Sequence, residues 1–450
     1  MRNYCTDLLV RSVVFAGLIF CCAAALAQSE EQSKRTSAKN AVLLEQWAAG
    51  QQAPPIQPLI GQYETYTAKK GETLFQIARS RMVSVSALQR LNNIETSRVK
   101  AGTRLILPTL HIVPLNPGEG VVLNVPERAI YVFKGAQLIA RYPVAIGKSG
   151  WQTALGDYKI RNMVKDPTWK PTREMVEREG VSPDEVPAGQ RNPLGDRWMG
   201  WSTPGFGFHS TTSPRSIGTA ASHGCVRMYP EAAHKLYDQV TVGMPIHSIY
   251  EPVVVGKMNG KFYLSVFPDI YKTGQTDVER IHKRLKSMGL LDAVDPTNLQ
   301  KIISRADGYP HRIMGADEEV TVNGMPVSAS VVPSRVNGQW IVPVREYSQA
   351  LGGQLSVAAD GRITVTGNGR TLTLKAGDRL AEVDGKPLNL EVAPSVVQGT
   401  TLAPLGALTQ ALGAKVTQEK GKSLQITSVG GVGRSPVIGA PPVNSVPGGR

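Results

Sequence analysis

The stretch that decides the fold runs from Gly120 to Gly147: GVVLNVPERAIYVFKGAQLIARYPVAIG. It holds β-branched and aromatic runs, interrupted by the turn-forming Pro126-Glu127-Arg128 and Lys134-Gly135. Short apolar runs between turn signals predict strands joined by hairpins. The same character continues to about residue 250, so residues 119–250 are expected to form a mainly β domain. Inside it, residues 166–198 (DPTWKPTREMVEREGVSPDEVPAGQRNPLGDRW) are dense in Pro and Gly and predict a long loop able to cap a site.

Near the end of this region stands SHGCVRM, Ser222 to Met228. The meaning of its cysteine depends on the N-terminus. Arg2 and Arg11, the apolar run VVFAGLIFCCAAALA and the polar QSEEQSKR describe a secretory signal peptide, residues 1–27, cut after Ala27. The apolar run is short of the ~20 residues a membrane span needs. Cleavage removes Cys5, Cys21 and Cys22 and leaves Cys225 as the sole thiol. A single leftover cysteine in an exported chain raises the expectation of a reactive thiol, and His, Gly, Ser and Arg neighbours do not suit an inert core position.

The 450-residue chain carries a formal charge of +14, which becomes +13 once Arg2, Arg11 and Asp7 are removed. A basic exported protein suits an acidic polymer such as an envelope polysaccharide, and export argues against nucleic acid.

A thiol becomes a nucleophile as thiolate, and it needs a base or a positive field to do so. His223 lies two residues before Cys225 and His209 sixteen before. A tight His-Gly-Cys turn suits presentation of backbone N–H groups, whereas a base on a separate strand can approach the sulfur in line. His209, in GFGFHST, is therefore the expected base, with the Gly224 and Cys225 amides as oxyanion donors. His111, His234, His247, His282 and His311 are expected to be ordinary, Asn192 to Gly195 to be a loop-shaping turn, and no residues have metal-ligand spacing. No cofactor is expected.

The string HSTTSPRSIGTAASHGCVRM, with PTW and NPLG upstream, resembles the active-site signature of the L,D-transpeptidases of the YkuD family. The resemblance spans about residues 119–250 and implies a β-sandwich-like catalytic domain acting on peptidoglycan. It implies Cys225 as nucleophile and His209 as base, with the Ser210 carbonyl orienting the imidazole. It further implies that Ser222, His223 and Gly224 shape the oxyanion pocket, that Arg227 holds a substrate carboxylate and that carbapenems acylate the thiol. Ser210 stands where many members have Gly, but the implied role uses main chain. Ala154 replaces a frequent proline in a turn.

On either side lie further modules. Residues 28–62 read as a Pro/Gln-rich linker. In 63–109 a strand at Thr65 to Lys69 leads to Thr73, a helix N-cap before Leu74, Ile77 and Ala78; a second helix starts near Ser84 with Val85, Leu88 and Leu91 inward, and RLILP closes a βααβ unit. This string resembles a LysM domain, which implies binding of N-acetylglucosamine-containing glycans. Residues 251–316 are expected to be an α+β connector with a hairpin through VVVGKMNGKFYLSVF and two amphipathic helices. In 317–428 an internal repeat aligns Pro326 with Pro387, Gly338 with Gly399, Pro343 with Pro404 and Leu351 with Leu412, each 61 residues apart. Two such units are expected to fold together. They resemble the copper amine oxidase N-terminus-like domain, though no His or Cys occurs after His311 to favour copper. Residues 429–450 are expected to be a disordered tail.

The sequence thus predicts a multidomain, periplasmic or wall-associated enzyme that resembles L,D-transpeptidases. Its expected partners are peptidoglycan stems, glycan strands and, as one acceptor, a wall lipoprotein. Two other readings compete: a cysteine endopeptidase of the NlpC/P60 kind, which needs its histidine well downstream of the cysteine, and a non-catalytic wall-binding protein, which the His209/Cys225 pair opposes.

Overall fold

A computed structural model describes residues 56–428, apart from 116–117, 136, 317–319, 330 and 419–423. The expected signal peptide and C-terminal tail lie outside the described residues. The chain divides into two compact units after Gly315.

In the first unit, residues 119–250 are built from two layers that share two strands. One layer holds Gly120–Asn124, Ala129–Lys134 and Pro245–Ile249; the other holds Arg197–Trp201, Gly207–His209 and Val226–Met228. Strand Gln137–Gly147 pairs with Ala129–Lys134 through Pro143 and then with Val226–Met228 from Val144 onward. Pro143 has no N–H to give a ladder, so it marks the corner where the strand changes layers. Strand Gly156–Lys165 does the same, pairing with Pro245–Ile249 and then with Arg197–Trp201, with a register shift between Ile160 and Asn162. A bulge bends a strand in this way. The expected sandwich is therefore closed along both sides into one continuous sheet. Its core holds Val121, Leu123, Ile130, Val132, Met199, Trp201, Phe208, Val226 and Met228 among others, all essentially inaccessible.

Residues 63–109 fold as strand Glu64–Thr67, helix Leu74–Ser80, helix Val85–Asn92 and strand Arg104–Leu107. Thr73 caps the first helix in a reciprocal box with Gln76, and Ser84 caps the second through the Ala87 N–H. Each cap satisfies an N–H that the first helical turn leaves without a partner. Leu74, Ile77, Ala78 and Leu88 face inward.

The linker expected over 28–62 does not run to its end. Gln57–Ile60 is a strand, parallel to Val253–Met258 and antiparallel to His111–Ile112. It joins Lys261–Val266 and His311–Met314 in a five-stranded sheet. Leu59 packs there against Ile112, Val254 and Phe267, which is why this Pro-flanked segment is held. The expected hairpin turns at Asn259 and Gly260, both at positive φ (50° and 74°), as a tight hairpin requires.

The second unit shows the repeat directly. Strands Gln339–Pro343 and Thr400–Pro404 pair antiparallel with Val342 opposite Ala403. Those residues are themselves repeat equivalents, so a local pseudo-twofold passes between them. Each strand runs straight into a helix, Val344–Ala350 or Leu405–Leu412. The apolar faces of both helices meet in one core containing Val344, Tyr347, Leu405, Leu408 and Leu412.

Candidate active site

Strand register assembles the site. Gly207–His209 runs parallel to Val226–Met228, with Phe208 opposite Val226 and His209 opposite Arg227. Side chains alternate between faces along a strand. Phe208, Val226 and Met228 therefore enter the core, while His209, Cys225 and Arg227 share the opposite face. All three line one groove of about 420 Å³, together with Ser222 and His223.

The turn before Cys225 is pinned from within. Ser222 Oγ donates to the Cys225 carbonyl at 2.5 Å and accepts the Gly224 N–H at 3.2 Å. Thr153 Oγ1 donates to the Gly224 carbonyl at 2.9 Å. Gly224 has φ +109°, and a Cβ there would stand 2.8 Å from Phe206 Cε1, so glycine is required. In this state the Gly224 N–H is turned onto Ser222 Oγ, so service to an oxyanion would require release of that bond.

His209 is buried, and its Nδ1–H donates to the Ser210 carbonyl at 2.5 Å. That bond fixes the tautomer and leaves Nε2 as the basic nitrogen. Burial, helped by the Arg227 charge, lowers the imidazole pKa to about 4 against an upward pull from the Ser210 and Leu194 backbone. Burial likewise raises the Cys225 thiol to about 11, opposed by the Gly207 backbone and Arg227. The Cys225 S–H donates to the Gly205 carbonyl at 3.2 Å. Both shifts favour the neutral forms of the half-buried Cys225 thiol and the buried His209 imidazole.

The long insertion covers this groove, and Thr168, Trp169, Lys170 and Met175 line it. Asn192 holds the insertion's base: it is fully buried, its Nδ2 donates to the Pro167, Val186 and Pro187 carbonyls, and its Oδ1 accepts the Leu194 N–H. The insertion also contains helix Arg173–Glu179, which ends on residues that sequence reasoning missed. Glu179 Oε2 meets His223 Nε2 at 2.6 Å, and its Oε1 accepts from Lys148 Nζ at 2.7 Å. Those two hydrogen bonds lower the Glu179 pKa to about 2. Trp151 packs edge-on against His223 at 4.8 Å, and the Arg178 guanidinium lies 4.6 Å from the Trp151 ring centre. His223 thus faces the insertion as well as the groove. The other histidines lie elsewhere: His234 on Asp196, His247 on Asp157 and His311 on Asp307.

Three family models match the chain in order: a LysM domain over residues 66–108, an L,D-transpeptidase catalytic domain over 118–255 and a copper amine oxidase N-terminal domain over 321–426. The Escherichia coli (strain K12) protein named "Probable L,D-transpeptidase YbiS" is 30% identical over 271 residues, 57% of this chain and 88% of that protein. "Probable L,D-transpeptidase YcfS" of the same organism is 29% identical over 276 residues, 57% of this chain and 86% of that protein. The solved catalytic domain of an Enterococcus faecium L,D-transpeptidase aligns at 20% identity and a TM-score of 0.25, covering 30% of this chain and all of that one, a likeness too slight to carry argument.

Proposed function

This chain belongs to the L,D-transpeptidase family, and from that premise we propose that it transfers acyl groups between peptidoglycan stem peptides through Cys225. The observation that carries this reading is the common face of His209, Cys225 and Arg227 in one groove.

His209 Nε2 takes the thiol proton as Sγ attacks the carbonyl between the L-centre of diaminopimelate and the terminal D-Ala of a tetrapeptide stem. With thiol and imidazole both neutral at rest, proton transfer accompanies attack. The Cys225 N–H is the proposed donor to the oxyanion, and Arg227 is placed for a substrate carboxylate. The imidazolium then protonates the departing amine of D-Ala, leaving a thioester. An amine acceptor, made nucleophilic by return of its proton to His209, displaces the thiolate and regenerates the pair. Diaminopimelate as acceptor gives a 3→3 cross-link, a lipoprotein lysine gives protein attachment, and water gives L,D-carboxypeptidase activity. The signature, the basic charge and residues 63–109 as a glycan-binding module support action at the cell wall after export.

The test is muropeptide analysis of purified sacculi incubated with the protein. Release of D-Ala with new tripeptide-linked dimers is the expected result. Cleavage at any other stem bond, without D-Ala release, would overturn the reading.

A further inference from the structure

Away from the groove, a cavity of about 30 Å³ lies where three segments of the first unit meet. Arg90 reaches it from helix Val85–Asn92, Arg128 from the turn between Gly120–Asn124 and Ala129–Lys134, and Tyr309 from the segment before His311–Met314. Arg128 is 7% exposed and Tyr309 8%. Arg128 Nε and Nη2 and the Tyr309 hydroxyl are buried without a hydrogen-bond partner. Leaving such donors unpaired is costly, and most of all for a charged group.

Arg128 also carries a backbone penalty, with φ +59° where a residue with a Cβ is strained. A glycine or asparagine would suit that turn better. A strained position occupied by an unpaired buried guanidinium indicates that the charge has a use.

The acidic groups at the cavity are already engaged. Glu127 accepts from Tyr131 Oη at 2.6 Å and Arg141 Nη2 at 2.9 Å. Asp307 binds His311 at 2.9 Å and Arg305 Nη2 at 2.9 Å, and accepts the Tyr309 N–H at 2.9 Å. His111, at 4.0 Å from Glu127, is kept neutral by burial and by Arg141. Arg90 Nε donates to the Asp307 carbonyl at 3.4 Å and is attracted by the Asp307 charge, while its charge and that of Arg128 disfavour one another. The cavity lining therefore carries excess positive charge, and two of its side chains, Arg128 and Tyr309, hold three donors without a hydrogen-bond partner. Its volume suits roughly two waters or one halide-sized ion.

We propose that this cavity is a binding site for a small inorganic anion of chloride type, held by Arg128 and Tyr309 with Arg90 facing it. The anion would satisfy the free donors and offset the repulsion between two guanidiniums. It would thereby tie the LysM-like helix to the catalytic sheet.

The test uses the full chain in gluconate buffer, with chloride or bromide replacing gluconate at constant ionic strength. Gluconate is too large for the cavity. A saturable rise in Tm with halide is expected for the wild type and none for Arg128→Met. Crystals grown in bromide should show an anomalous peak within hydrogen-bond reach of Arg128 Nε and Tyr309 Oη. A halide-independent Tm in the wild type, an identical rise in Arg128→Met, or a cavity holding only water in bromide would each overturn the proposal. The crystal experiment needs only wild-type protein, so failure of the variant to fold does not shelter the idea.

Discussion

Glu179, at the end of the insertion's helix, meets His223, two residues before the thiol, at 2.6 Å. One carboxylate thereby links the cover of the groove to the turn that presents Cys225. Glu179→Gln keeps the size but weakens both charged contacts, so the cover should loosen and the turn should lose its outer support. Acylation by a carbapenem should slow on the order of 10-fold, as small misplacements of reacting groups do. The wild-type rate should also decline with added salt, because the contacts are partly exposed. A variant as fast as wild type at all salt concentrations would show that the cover is held by other means.

Cys225 is the only cysteine after residue 22. Protein spanning residues 28–450 should therefore gain one carbapenem adduct per chain by intact mass, and Cys225→Ser should gain none and lose transpeptidation. Adduct formation by the serine variant would place the nucleophile elsewhere.

What the sequence disclosed follows from the range of the forces involved. The Thr73 helix cap and the hairpin through VVVGKMNGKFYLSVF depend on neighbours a few residues apart, and both were legible; the reciprocal bond from Gln76 and the turn at Asn259 and Gly260 came with the structure. The repeat was legible as well, because 61-residue spacing survives in the chain. The strand at Gln57–Ile60 was not: its partner Val253–Met258 lies almost 200 residues on, and its composition reads as a linker. Glu179 was missed for a similar reason, since an ion pair between an insertion and a distant turn leaves no spacing to detect. The perturbed ionisation of Cys225 and His209 arises from burial, which appears only when the sheet closes around them.

The LysM-like region is packed onto the catalytic domain rather than tethered to it. Arg79 makes two 2.8 Å bonds to Glu231, Ser86 Oγ donates to the Gly218 carbonyl at 2.6 Å, and Tyr229 Oη donates to the Val83 carbonyl at 3.2 Å. Phe75 and Met82 pack against the catalytic core. Deleting residues 63–109 should weaken retention on insoluble peptidoglycan. It should also uncover apolar surface and lower the Tm of the remainder by roughly 5 °C or more. Arg79→Ala should keep glycan retention while losing a smaller part of that stability. An unchanged Tm on deletion would mean that these contacts contribute nothing to the catalytic domain.

The ionisation of the pair sets the pH dependence. The thiol is pushed up to about 11 and the imidazole down to about 4, so the neutral pair persists between those values. The carbapenem acylation rate should be flat across neutral pH and fall only as pH drops toward 4, where His209 takes a proton and ceases to be a base. Ultraviolet thiolate absorbance, read as wild type minus Cys225→Ser, should be absent at neutral pH. His209→Asn removes the base but not the burial, so the loss should be at least on the order of 10²-fold at pH 7. That variant's rate should then climb about tenfold per pH unit toward 11 as the thiol ionises unaided. Stability shares the imidazole's sign. A folded-state pKa below the unfolded value of 6.5 gives a contribution present above 6.5 and lost as pH falls to about 4. The wild type should therefore lose stability over that window, and His209→Asn should lose less. Strong thiolate absorbance at pH 7, or a His209→Asn profile parallel to wild type, would replace the neutral pair with a preformed thiolate.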